Sequence, residues 1–256
     1  MKSKKFAVVV LAAGKGQRMG IKGQKACIPV GGKPMIVHVL SSVLPLKPAR
    51  VIVVVGHDAE TVRATVRGHI EHDVAFVHQK EQLGTGHALL QALSPLSDFV
   101  GDILVLYGDT PLISTTTIKN LLNKHQRKNA VVTTLTAHLR DPYGYGRIKR
   151  DKEGYVASIV EEKDATEEDK KIQEINSGIY CFRSDKLWDA LRLITNNNVQ
   201  REYYLTDIIS ILAESEEKIH SDTSPDSREL LGINTLKQLE EARKILQTKR
   251  TTKDLV

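Results

Sequence analysis

Two cations and a run of small residues carry the clearest chemistry in this chain. Leu11-Ala12-Ala13-Gly14-Lys15-Gly16-Gln17-Arg18-Met19-Gly20, with Lys25 shortly behind it, follows the apolar, β-branched segment Lys5 to Val10. That segment reads as a buried parallel strand. Ala12, Ala13, Gly14 and Gly16 remove bulk where the strand ends, so backbone amides there can approach a ligand closely. Arg18 and Lys25 beside such amides suit a polyphosphate better than a neutral ligand. A strand-to-loop turn that merely carries basic residues is the plain alternative. The two common glycine motifs are excluded: a dinucleotide fingerprint needs glycine where Met19 stands, and a Walker loop needs Ser or Thr where Pro34 follows Gly32-Lys33.

Three further stretches hold polar groups at turns. In Gln79-Lys80-Glu81-Gln82-Leu83-Gly84-Thr85-Gly86-His87-Ala88, Gly84 and Gly86 leave amides free at a helix start and Thr85 offers a hydroxyl. Thr85 as a simple helix cap accounts for the same letters. Asp109 ends the apolar run Asp102 to Tyr107, where a carboxylate is available to Mg²⁺, a hard cation that prefers oxygen; it could equally shape a turn before Thr110-Pro111. The string from Asn196 to Asp207 reads as a polar loop with Thr206 capping a helix over 207–213. Gly232-Ile233-Asn234 precedes a helix opened by a Thr235-to-Gln238 capping box.

The elements that must position these groups follow from periodicity. Strands are expected at Lys5 to Val10, Arg50 to Val55, Val74 to Val77, Asp102 to Tyr107 and Ala130 to Thr136. Helices are expected at Pro34 to Leu44, Asp58 to Val66 with Asp58 as cap, Gly86 to Leu93 and Thr116 to His125. The alternation predicts an α/β fold, a mostly parallel sheet with helices on both faces. Right-handed crossovers put the strands' carboxyl ends, and the candidate residues, along one edge. After Arg140 short alternating segments predict a smaller antiparallel β region, and Asp164 to Lys171 a solvated turn or short helix. The expected organisation is an α/β half over 1–140, a smaller β-containing lobe of the same domain over 141–234, and a C-terminal helix and tail over 235–256.

Composition narrows the classes. A chain of 256 residues can bury a substantial core without staples. Cys27 and Cys181 are far apart and have no metal spacing, and with no signal peptide or long apolar span they predict reduced thiols in a cytoplasmic protein. The net charge of +6 is spread among acidic residues with no aromatic interleaving, which argues against nucleic acid. His69 and His72 lack further ligands and read as a surface turn.

The motif L-x-x-G-x-G-x-R-M, then Lys25 and Gly32-Lys33-Pro34-Met35, resembles the signature of nucleotidyltransferases that make sugar nucleotides. More closely, the chain resembles the uridylyltransferase domain of the bacterial bifunctional N-acetylglucosamine-1-phosphate uridylyltransferase/glucosamine-1-phosphate acetyltransferase family. Gln79 to Ala88, Tyr107-Gly108-Asp109, Asn196 to Asp207 and Gly232-Ile233-Asn234 extend the match from about Lys5 to about Leu246. The resemblance implies the nucleotide-diphospho-sugar transferase fold, with UTP and N-acetylglucosamine 1-phosphate giving UDP-N-acetylglucosamine and pyrophosphate. It implies Arg18 and Lys25 on phosphates and Mg²⁺ on Asp109 and Asn234. Leu11, Ala13, Gly14, Gly16, Gln79, Gly84 and Thr85 would hold the nucleotide, and Tyr107, Gly144, Glu161, Asn176, Glu202, Tyr204 and Thr206 the sugar. The family usually has Thr at Gln17 and Pro at Gln24, and losing that proline predicts a less fixed Lys25. No six-residue β-helix repeat follows, so acetyl transfer is not expected of these residues. The apolar stripe of 235–248 predicts a docked helix, hence a monomer or weak dimer. Rival readings are the same chemistry with another sugar 1-phosphate or dTTP, and a non-catalytic UDP-sugar sensor.

Overall fold

The computed structural model describes residues 4–14, 16 and 23–253. Arg18 and Gln17 lie outside them. The first strand, β1 (Phe6–Ala12), is buried at every position, as a run apolar on both faces requires. Its side chains alternate between two cores: Ala7, Val9 and Leu11 point into one, Phe6, Val8, Val10 and Ala12 into the other.

A two-stranded ribbon, β2 (Pro29–Val30) and β3 (Lys33–Pro34), leads into α1 (Met35–Val43). Then come β4 (Arg50–Val55), α2 (Ala59–Arg67), β5 (Ala75–His78), α3 (Thr85–Leu90), α4 (Leu93–Leu96) and β6 (Asp102–Tyr107). The chain continues through α5 (Thr115–Lys128), β7 (Val132–His138), β8 (Arg147–Arg150), β9 (Val156–Val160), α6 (Glu167–Lys170) and β10 (Glu174–Arg183). It closes with α7 (Ser184–Leu193), α8 (Asp207–Glu214), β11 (Ile219–Thr223) and α9 (Leu236–Lys253).

The main sheet runs β11-β7-β10-β6-β1-β4-β5, with β8 pairing β10 and β9 at the side. All pairings along that path are parallel except those of β10, which runs against both β6 and β7. Helices cover both faces as expected. Val37, Leu40, Val62, Val66, Ile118 and Leu121 of α1, α2 and α5 fill one core, and Leu89, Leu187, Leu191, Ile208 and Leu212 of α3, α7 and α8 the other. Among the described residues no helix is long and apolar enough to cross a membrane.

Several local expectations are corrected. The helix expected over 86–93 breaks into α3 and α4, because Pro95 has no N–H to offer the Gln91 carbonyl and the ladder cannot run through. Asp58 occupies the cap position of α2 but makes no capping bond; it sits in the left-handed region and its carboxylate accepts the Thr61 hydroxyl at 2.8 Å. Thr206 likewise caps nothing, since its hydroxyl donates to Glu161 Oε1 at 3.1 Å. At α9 only half of the expected box forms: Thr235 Oγ1 accepts from Gln238 N–H at 3.2 Å, while Gln238 Oε1 accepts from the N–H of Asn234, one residue before the cap, at 2.7 Å. Leu239 and Ala242 of α9 are buried, with Ile245 and Leu246 half-buried, against Val30, Met35, Leu112 and Ile233, so most of that stripe is docked on its own domain, while Leu236 at its start is exposed.

Candidate functional site

The carboxyl ends of β1, β5 and β6 converge on a cleft of about 690 Å³. Leu11, Ala13, Gly14 and Gly16 form one wall, Gln79, Gly84 and Thr85 another, and Tyr107, Asp109, Glu202 and Asn234 the far side around Lys25. The sheet edge thus gathers twelve of the residues singled out from the sequence.

Two glycines make the approach possible. Gly16 has φ +63°, and a Cβ there would lie 2.7 Å from the Lys25 Cβ, so only glycine lets the lysine pass. Gly84 has φ +113°, and a Cβ would meet the Tyr203 carbonyl at 2.6 Å. That contact is where two distant motifs join. Gly86 N–H donates to Tyr203 O at 2.8 Å, Tyr203 N–H to Leu83 O at 2.7 Å, and Leu205 N–H to the Thr85 hydroxyl at 3.0 Å. The 196–206 string therefore lies across the start of α3. Gln79 lines the cleft and is buried, with Nε2 donating to Gly84 O at 3.0 Å and lying 3.1 Å from His87 Nδ1.

Lys25 is the centre of the site. Its ammonium donates to Asp109 Oδ2 and, at 2.7 Å, to Asn234 Oδ1. An acidic and an amide oxygen thus close on one cation from elements remote in sequence. Two such hard oxygens fit a divalent metal of the Mg²⁺ type, which takes few protein ligands and completes its shell with phosphate and water. The metal-ligating cluster that geometry alone picks out among the described residues is elsewhere. Asp102, His125 and Cys181 lie together at the opposite end of β6, fully buried. There His125 Nδ1 lies 3.0 Å from Thr133 Oγ1, and Gln126 donates to Asp102 at 2.9 Å, which makes the group a polar tie between α5 and the sheet.

Lys25 is not loosely held, as the missing proline had suggested. Gln24 is 2% exposed and its side-chain amide bonds the backbone on both sides of the cleft floor, including the Lys25 N–H at 2.8 Å. A sequence shows that a backbone has lost a ring; it does not show which carbonyls lie within reach.

The remaining sugar-site candidates form a group behind the cleft rather than its lining. Thr206 bonds Glu161, and Asn176 Oδ1 accepts from Gly178 N–H at 3.1 Å. Gly146 lies between them, its Cβ position 3.6 Å from both Asn176 Cβ and Glu161 Oε2. Gly144 N–H donates to Glu162 at 3.0 Å, away from the cleft lining. Tyr204 is buried, its hydroxyl without a hydrogen bond among the described residues.

This group is electrostatically tense. Burial pushes the Glu161 carboxyl up, with Asp207, Asp164 and Glu202 adding repulsion against the Thr206 bond. Burial raises Asp207 to about 6, helped by Asp164. Burial also raises the Tyr107 phenol, with Glu161 and Asp109 reinforcing it. Gln82, Lys163 and Gln200 line the cleft and were not singled out from the sequence. Lys163 had a signal: it stands two residues beyond Glu161, just past the end of β9.

A parallel α/β sheet whose strand ends hold a small-residue loop, a lysine and two metal-type oxygens is a nucleotidyltransferase fold with its site at the usual edge. A solved UDP-glucose pyrophosphorylase, complexed with UDP-glucose, has the same fold: TM-score 0.77 and 18% identity, over 96% of this chain and 99% of that one. A family model, the MobA-like NTP transferase domain, matches residues 8–198, and the chain belongs to that family. It is 46% identical over 238 residues to the bifunctional protein GlmU of Enterococcus faecalis, covering 93% of this chain and 51% of the relative. Against the bifunctional protein GlmU of Listeria monocytogenes it is 48% identical over 245 residues, covering 96% and 52%. The chain thus spans about half the length of these relatives.

Proposed function

We propose that this chain is an N-acetylglucosamine-1-phosphate uridylyltransferase, joining UTP and N-acetylglucosamine 1-phosphate to give UDP-N-acetylglucosamine and pyrophosphate. The observation that carries the reading is the convergence of Lys25, Asp109 and Asn234 in a cleft walled by the small-residue loop. A phosphate oxygen of the sugar phosphate attacks the α-phosphorus of UTP as the bond to pyrophosphate breaks in line. The attacking oxygen already carries charge, so no general base is needed and the protein's work is alignment and charge stabilisation.

Lys25, with Arg18 carried over from the family pattern, holds phosphate oxygens. Asp109 and Asn234 would hold Mg²⁺, which when bound supplies charge neutralisation on the α-phosphoryl oxygens and the departing pyrophosphate. Gln79, Gly84 and Thr85 face the base and ribose. Glu202, with Glu161, Asn176, Tyr204, Thr206 and Gly144 behind it, shapes the sugar end, and Tyr107 lies between the two. A cytoplasmic location goes with UTP as substrate and with the free thiols of Cys27 and Cys181. We assign the chain a monomeric or weakly dimeric state, because Leu239, Ala242, Ile245 and Leu246, most of the apolar face of α9, already pack on its own domain.

Pyrophosphate release from UTP with N-acetylglucosamine 1-phosphate tests the reading, run beside glucose 1-phosphate and beside dTTP. The expected result is Mg²⁺-dependent release that is fastest with the acetylated sugar and UTP. No release with any pair would sink it.

A further inference from the structure

Gln24 spends both ends of one side-chain amide on the ground beneath Lys25. Its Nε2 donates to Ala12 O at 3.1 Å, the last residue of β1, and to His57 O at 2.9 Å, just past β4. Its Oε1 accepts the Lys25 N–H at 2.8 Å, opening the short 3₁₀ turn Lys25–Cys27, and Cys27 N–H closes that turn on the Gln24 carbonyl at 2.9 Å. The next side chain in sequence then reaches Asp109, beyond β6, and Asn234. Two consecutive residues therefore tie together the ends of three strands and the loop before α9.

We propose that Gln24 is a positioning residue that fixes where the Lys25 ammonium stands in the cleft, an inference that rests on the phosphate-binding role given to Lys25 above. The backbone at Gln24, with φ −79° and ψ 121°, would accept a proline ring. A ring there stiffens the chain but offers nothing to the Ala12 and His57 carbonyls. In this chain the stiffness comes from three hydrogen bonds of a 2%-exposed amide, and a donor at that point is what the two carbonyls require. The consequence is directional: the turn is held from the strand side, so its far face, with Lys25, is presented to the cleft.

Two variants test this. Gln24→Glu keeps the length and an acceptor for the Lys25 N–H, but as a carboxylate it has no proton for either carbonyl. Gln24→Pro suits the backbone and removes the amide. Both are expected to lower kcat by roughly tenfold to a hundredfold, the scale set by misplacing a reacting group by about 1 Å, with KM for the sugar phosphate within about twofold. In Gln24→Glu the deficit relative to the unaltered chain should shrink as pH falls, because the introduced carboxyl regains a proton to donate. Calorimetry with UTP and with uridine supplies a readout independent of turnover: UTP binding weakens while uridine binding does not. Unaltered kcat in both variants would overturn the proposal, and so would equal weakening of uridine and UTP, the mark of a merely structural residue. Failure of the unaltered chain to release pyrophosphate would instead count against the uridylyl-transfer reading, leaving the UTP-to-uridine comparison to judge Gln24.

Discussion

The ammonium of Lys25 is paired with the carboxylate of Asp109, 84 positions away, and both side chains are mostly withdrawn from solvent. With Asn234 on the same nitrogen, the site stabilises one positive charge at the place proposed for a metal. An ammonium and a divalent cation therefore compete for the same oxygens.

Lys25→Ala should bind Mn²⁺ several-fold more tightly than the unaltered chain when no nucleotide is present, as read by electron paramagnetic resonance. In the same variant kcat should fall more than KM for UTP rises, because phosphate charge grows toward the transition state. A raised KM with unchanged kcat would make Lys25 a binding residue only.

Asp109→Asn keeps the shape and removes the charge. Turnover is expected to fall by about a hundredfold or more, with cooperative thermal unfolding retained. Near-normal turnover would take Asp109 out of the metal site.

Gly84→Ala places a methyl group against the Tyr203 backbone at a left-handed φ. The strain and contact should cost about 2 kcal/mol or more, a fall in Tm of about 5 °C, and a raised KM for UTP because Thr85 and the 196–206 string move with it. Differential scanning calorimetry and steady-state rates read the two effects.

Asp207 sets a pH dependence. Its folded carboxyl titrates at about 6, whereas an unfolded aspartate titrates near 4. Between those values the folded chain keeps a proton the unfolded chain has lost, so stability falls as pH rises through that window and the full penalty stands above pH 6. Asp207→Asn should raise Tm by a few degrees at about pH 7.5 and leave it unchanged near pH 4. Equal shifts at both values would dismiss the carboxylate as the cause.

The strands β1, β4 and β6 were legible in sequence because residues buried on both faces must be apolar without interruption. β10 was not, since Asn176-Ser177-Gly178 breaks its alternation at the register shift before Tyr180. Thr206 and Asp58 look like caps by type, but Thr206 bonds Glu161, 45 positions away and invisible to local sequence, and Asp58 instead takes up the hydroxyl of Thr61, three positions on. At the cleft, spacing suggested the phosphate loop, but Lys25 and Asn234 meet across 209 positions. A gap of that size is bridged by family resemblance or by coordinates. Gln24 was misjudged for the same reason: its partners are backbone carbonyls, which every residue has.

The reversed strand β10 has a bearing on the order in which the molecule can be made. β6 borders β1 on one side and β10 on the other, and β7 joins the sheet only through β10 and β11. While a ribosome is still working toward residue 174, β6 offers a row of unanswered amides and carbonyls, and β7 has no sheet neighbour. A chain stopped near residue 140 would carry that open, apolar edge permanently, a template for pairing with its own kind. Synthesis of the segment that carries β10 is thus also the step that seals the first half of the sheet against aggregation.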